Sequence, residues 1–164
     1  MKKLFVIAVL GSVLLVSCKK SSSGGIGLGT IQATVSGTTT SFTSATATST
    51  GNGTDILIAG VSGAGTASAS VFSIEIESAT AITAGTYTDT TLYNNTGLGL
   101  LTASTGVDYT SLGLVTNPTK IVVTSISSTA IAGTFQGSIY TNDDSTTTPK
   151  VITNGKFNAK LTAQ

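Results

Sequence analysis

Apolar and hydroxyl-bearing positions alternate along most of this chain, in short runs interrupted by glycine, asparagine or pairs of small residues. A period of two is what a strand with one buried face requires, because successive side chains of an extended backbone point to opposite sides. The pattern predicts a first strand over Thr30–Val35, closed by Ser36-Gly37, and a second over Ser41–Thr50, where small residues and hydroxyls follow Phe42. Gly51-Asn52-Gly53 is a turn signal, since glycine and asparagine tolerate positive φ. Asp55–Val61 is apolar on both faces and is expected to be a central strand. After Gly63-Ala64-Gly65 comes Ser70–Glu77, with Phe72, Ile74 and Ile76 on one face and Ser73, Glu75 and Glu77 on the other. Ala84-Gly85-Thr86-Tyr87 opens a further short strand.

Residues 90–119 are the least regular stretch, holding Tyr93, a short apolar run at Leu98–Leu101, Tyr109 and the turn signal Asn117-Pro118. Order returns with the β-branched run Lys120–Ser127 and a turn at Ser128-Thr129-Ala130. In the next strand Ile131, Gly133, Phe135, Gly137 and Ile139 face one side, and Ala132, Thr134, Gln136, Ser138 and Tyr140 the other. A polar loop over 141–150 follows, and Asn154-Gly155 leads into a last strand with Phe157, Ala159 and Leu161 inward and Lys156, Asn158 and Lys160 outward. No window sustains a helical period. Threonine and serine dominate the polar positions, and β-branched threonine suits a pleated surface. The expected fold is all-β: an antiparallel β-sandwich or barrel-like single domain over residues 30–164.

The amino terminus follows other rules. Lys2 and Lys3 precede an apolar run from Leu4 to Val16, short of the roughly 20 residues a spanning helix needs and laid out as an export signal. Leu15-Val16-Ser17-Cys18 resembles a bacterial lipobox, in which the cysteine receives the lipid. Residues 1–17 then read as a lipoprotein signal peptide, and 18–29 as the lipidated Cys18 with a flexible Gly/Ser tether whose root-mean-square span is about 15–20 Å. The competing reading is an ordinary secretory signal with a chance cysteine. Cys18 is the single cysteine of the chain, so an intramolecular disulfide is excluded. At ~0.8 kcal/mol per buried CH₂, two or more acyl chains hold a protein on a membrane stably.

Charge and composition narrow the chemistry. Loss of Lys2 and Lys3 with the leader takes the formal net charge from +1 to −1, and arginine and tryptophan are absent, which excludes the basic, aromatic surface that nucleic acid requires. Histidine is absent too, so the usual catalytic triads and most transition-metal sites are excluded. Carboxylates are what remains for acid–base work. Glu75 and Glu77 share a strand face about 6.5–7 Å apart, a separation that overlaps paired glycosidase carboxylates. They lie opposite Phe72, Ile74 and Ile76, however, and a solubilising outer face is the favoured reading. Asn142 and Asp144 alternate with Thr146 as candidate calcium ligands, but their loop lacks the downstream bidentate glutamate and the ordered glycine, so a solvated hairpin loop is favoured. Tyr93 and Tyr109 could stack on a sugar ring or simply cap the core with their hydroxyls in water. The expectation is a protein that is not an enzyme and needs no cofactor.

The carboxy-terminal third carries a resemblance. TSISSTAIAGTFQGSIY followed by VITNGKFNAKL is similar to the ending of an uncharacterised family of small Bacteroidetes outer-membrane lipoproteins. Gly133-Thr134-Phe135 matches that family's Gly-Thr-Phe core strand, Asn154-Gly155-Lys156-Phe157 its closing strand, and Ala84-Gly85-Thr86-Tyr87 a mid-chain feature. The resemblance implies a lipobox leader and a β domain, and no activity. Asp89-Thr90-Thr91 and Asp144-Ser145-Thr146 resemble the periplasmic O-glycosylation motif of the same bacteria, with Thr90 and Ser145 as acceptors. In so hydroxyl-rich a chain coincidence is an equal rival. The expected function is a membrane-anchored cell-envelope lipoprotein, a non-catalytic structural or interaction module, the alternative being a glycan- or lipid-binding lipoprotein. Its expected partners are the membrane, through the lipid, and an envelope protein or glycan. Lys19, Lys20 and Ser21, rather than acidic residues, follow the cysteine, which points to the periplasmic face of the outer membrane.

Overall fold

The structure is a computed structural model that describes residues 25–89, 96–111, 118–141, 144 and 146–163. Among these are ten strands: β1 (Thr30–Val35), β2 (Thr38–Thr50), β3 (Asp55–Ser62), β4 (Ser70–Glu77), β5 (Gly85–Thr88), β6 (Gly97–Thr102), β7 (Val107–Thr110), β8 (Lys120–Ile126), β9 (Ala130–Thr141) and β10 (Lys150–Ala163), with a single 3-10 turn at Gly51–Gly53. Eight of them close into an antiparallel barrel in the order β1-β2-β3-β4-β6-β7-β9-β10, sealed by the pairing of β1 with β10. Closure chooses the barrel over the sandwich.

Two forks shape the ring. Along one edge of β9, residues 131–136 pair with β8 and residues 140–141 with β7, so β8 and its partner β5 form a ribbon beside the main wall. On the other side β1 is a wedge between β2 and β10. Beyond its start those two strands meet directly in parallel, from Lys160 opposite Thr46 to Ala163 opposite Ser49.

The interior is filled by rings. Phe42, Phe72, Phe135 and Phe157 form one chain across it, with centroids 5.2, 5.3 and 6.4 Å apart. Ile31, Ile56, Ile58, Ile74, Ile76, Leu98, Ile121, Ile131 and Ile139 pack around them, all fully buried. Three of the rings sit opposite a glycine on the neighbouring strand: Phe72 opposite Gly60, Phe135 opposite Gly155, Phe157 opposite Gly133. A Cβ at Gly155 would lie 2.6 Å from the Phe135 ring, and one at Gly133 would lie 2.6 Å from the Phe157 ring and collide with the Val122 carbonyl. Glycine is needed there because the rings occupy the space a side chain would fill.

Two bulges switch which residues face inward. In β2 an extra residue at Ser44 (φ 55°) puts Phe42 inside and then Ala45 and Ala47. In β10 an extra residue at Asn154 (φ 52°) puts Ile152 inside and then Gly155, Phe157 and Ala159. Asn154-Gly155, expected to lead into the last strand, therefore lies within a strand that starts at Lys150. An asparagine in the left-handed region makes a turn or a bulge equally well, and only the partner strands distinguish them.

Three other expectations change. Asp55–Val61 is not buried on both faces: Ile56 and Ile58 point in, but Leu57 is 47 % exposed, because a barrel wall has water on its outside. The stretch 90–119, expected to be irregular, holds the hairpin β6–β7, which continues the wall from β4. Glycines at 97 and 99 weaken its strand signal. Tyr140, placed opposite Ile139, is buried beside it where β7 takes over the edge of β9. The inward and outward sets of β4, of β9 up to Ile139, and of β10 after its bulge are as expected.

Removing a buried ring from such an interior leaves a cavity. Phe157→Ala should lower unfolding stability by about 3–5 kcal/mol. Gly133→Ala should cost about 1–3 kcal/mol by overpacking. Lys160→Ala, on the exposed side of the same strand, should stay within about 0.5 kcal/mol. Chemical-denaturation midpoints of the three variants check the assignment, and equal midpoints for Phe157→Ala and Lys160→Ala would refute it.

Candidate functional site

With its interior occupied, the barrel can offer chemistry on its outer wall and at its ends. On the wall, the pairing of β3 with β4 sets Asp55 opposite Glu77 and Leu57 opposite Glu75. Carboxylate oxygens of Asp55, Glu75 and Glu77 lie within 4.8 Å of one another. Thr50 Oγ1 donates to Asp55 Oδ2 at 3.1 Å. Partial burial first, then the charges of Glu77 and Asp55, hold the Glu75 carboxyl above its ordinary value. A groove of about 410 Å³ lined by Thr50, Thr54, Asp55, Glu77 and Ser78 adjoins the cluster. These are hard oxygen donors of the kind calcium takes. The sequence paired Glu75 with Glu77, but Asp55 joins them only through strand register.

The second constellation is buried. Asp89, Thr96, Ser111 and Thr119 are four of the five buried polar residues among those described. Asp89 N–H donates to the Thr119 carbonyl at 3.2 Å, and Ser111 N–H to the Leu98 carbonyl at 2.9 Å. Thr119 Oγ1 donates to Ser111 Oγ at 2.8 Å, and Leu98 N–H donates to the same oxygen at 2.7 Å. Asp89 Oδ2 and Thr96 Oγ1 find no partner among the described residues. Burial pushes the Asp89 carboxyl up to about 6. None of the four is a site residue in the reading from sequence, where Asp89 enters only as the first residue of the Asp89-Thr90-Thr91 motif.

The residues that were singled out are scattered. Tyr109 sits on β7 opposite Leu100 and Thr141, half-buried against the core, with Lys150 Nζ 4.7 Å from its ring centroid. That cation–π contact uses part of the ring that a sugar would need. Asp144 is exposed, and its Oδ1 accepts from Thr146 N–H at 2.9 Å and Thr146 Oγ1 at 2.6 Å, which holds its carboxyl below the ordinary value. This is a local turn around one acid. Cys18, Thr90, Tyr93, Asn142 and Ser145 lie outside the described residues.

The class of protein is an all-β closed barrel with an apolar interior and a hydroxyl-rich exterior. That polarity is the reverse of a lipid-embedded barrel, whose wall is apolar outside and polar within. No protein family, curated protein or solved structure matches the chain.

The raised Asp89 carboxyl links stability to pH. The folded state holds a proton that the unfolded chain, at 3.8, releases earlier. The stabilising contribution is complete below pH 3.8 and is lost as pH rises through about 6. At 1.36 kcal/mol per pKa unit, reduced by solvent screening, the loss is on the order of 1–2 kcal/mol. Asp89→Asn should therefore gain on wild type between pH 5 and pH 8, and urea unfolding of both proteins at the two pH values measures the difference. A wild-type-minus-variant difference that does not change with pH would sink this assignment.

Proposed function

We propose that this protein is a lipid-anchored component of the bacterial cell envelope and that its barrel is a non-catalytic structural or interaction module. The observation that carries the reading is the filled interior. Eight-stranded barrels can hold a small ligand where side chains leave room, whereas Phe42, Phe72, Phe135 and Phe157 occupy that space here. The lack of histidine and the lipobox at Cys18 support the same reading. So does the resemblance of Gly133-Thr134-Phe135 and Asn154-Gly155-Lys156-Phe157 to the small Bacteroidetes lipoproteins. On this reading the barrel works through its outer wall, from the periplasmic face of the outer membrane. A glycan or lipid held inside the barrel is disfavoured by the same packing.

The anchor is directly testable. Wild-type protein grown with a fatty-acid probe should be labelled and fractionate with the outer membrane, and Cys18→Ser should lose the label and leave that fraction. An unlabelled, soluble wild type would overturn the proposal. Protease applied to intact cells should leave the barrel intact, and its digestion would move the protein to the cell surface.

A further inference from the structure

Charge is segregated around the barrel. Strands β8, β9, β10 and β1 carry Lys120, Lys150, Lys156 and Lys160 and no acidic residue, the exposed Asp144 lying at one end of this side in the loop between β9 and β10 and Asp108 on the adjoining β7. Strands β3, β4 and β7 carry Asp55, Glu75, Glu77 and Asp108 and no lysine. The order of the ring sets β9–β10 diametrically opposite β3–β4, with β1 and β2 between them on one side and β6 and β7 on the other. Lys120 and Lys160 are exposed and Lys156 half-buried, while Lys150 is turned to the Tyr109 ring. Between the lysines the wall is uncharged, with Val122, Thr124, Thr134, Gln136 and Asn158.

The chain enters on this same basic side. Gly29 N–H donates to the Asn158 carbonyl at 2.7 Å, and Asn158 Nδ2 donates to the Ile26 carbonyl at 3.0 Å. Gly25 and Ile26 thus lie in a groove of about 520 Å³ shared with Thr134 and Lys156. From Gly25 back to Cys18 the backbone reaches at most about 25 Å when fully extended. A domain of this size has a radius of gyration of about 14 Å. A tether of that reach cannot pass around the barrel, so the lysine side does not turn directly away from whatever holds its other end.

We propose that the face formed by β8, β9 and β10 docks on an anionic phospholipid surface, with Lys120, Lys156 and Lys160 as its contacts and the Asp55–Glu75–Glu77 face turned away. The proposal extends the anchored reading of Cys18 by giving the tethered barrel an orientation. Lysines near a negatively charged leaflet each add to binding, and the attraction falls off within a Debye length, about 8 Å at physiological salt. A bilayer is favoured over a second copy offering its acidic face because the tether leads from this wall.

The test uses the unacylated chain from residue 19, which retains every described strand and does not depend on lipidation. It should float with phosphatidylglycerol-containing vesicles and not with pure phosphatidylcholine, and salt should release it. Each of Lys120→Gln, Lys156→Gln and Lys160→Gln should weaken binding about fivefold, whereas Glu77→Gln should not weaken it. Equal binding to both vesicle types, or full binding by the triple lysine variant, would overturn the proposal. So would self-association abolished equally by Lys160→Gln and Glu77→Gln, which would mark a head-to-tail contact between barrels. Failure of fatty-acid labelling would remove the anchor without touching this result.

Discussion

Four phenylalanine rings have to fit inside a closed ring of eight strands, and most of the structure follows from how that is done. A barrel of this number has an interior just wide enough for side chains to fill. Here the rings run in one chain from Phe42 to Phe157. Their neighbours yield: Gly60, Gly133 and Gly155 stand opposite rings, and Ala33, Ala45, Ala47 and Ala159 complete the inner wall. Large residues stand opposite small ones, so the rings fit the interior without overlap. The bulges at Ser44 and Asn154 serve the same end, because each re-phases its strand and so keeps an apolar set inside along strands too long to hold one register.

A filled interior leaves the outer wall and the ends of the barrel as its accessible surfaces. The wall has two unlike sides, and the antiparallel ring places them back to back. On one side partial burial, and then the charges of Glu77 and Asp55, raise the Glu75 carboxyl. The lysines on β8 and β10 lie on the side from which the chain runs back toward its amino terminus. The buried set of Asp89, Thr96, Ser111 and Thr119 is of another kind. Its hydroxyls largely satisfy one another and the backbone, yet one carboxylate oxygen and one hydroxyl remain without a partner among the described residues. Such groups cost stability, and the raised Asp89 carboxyl makes this part of the barrel sensitive to pH.

Much of the fold was legible because a strand with one wet face writes itself as alternation. Thr30–Val35 and Ser70–Glu77 have the observed boundaries, and the sides of Phe72, Phe135 and Phe157 follow from the period alone. What misled was local ambiguity. The hairpin of β6 and β7 is rich in glycine, whose strand preference is poor, and its order comes from pairing with β4 and β9. Asn154-Gly155 signals positive φ without saying whether a turn or a bulge uses it. Leu57 looked buried because apolar residues on both faces suggest a central strand, while a barrel leaves one of those faces in water.

The sequence by itself determined the class, all-β and antiparallel, and which side-chain chemistries the chain has to work with, histidine and arginine being absent. It did so because these depend on composition and on neighbours within a few residues. Tertiary structure alone decided closure, the chain of rings, the meeting of Asp55 with Glu75 and Glu77, the buried company of Asp89, and the opposition of acidic and basic walls. Each of these joins residues far apart in the chain through strand order and register. Register is set by the best simultaneous packing of all the strands, which no single stretch of sequence contains.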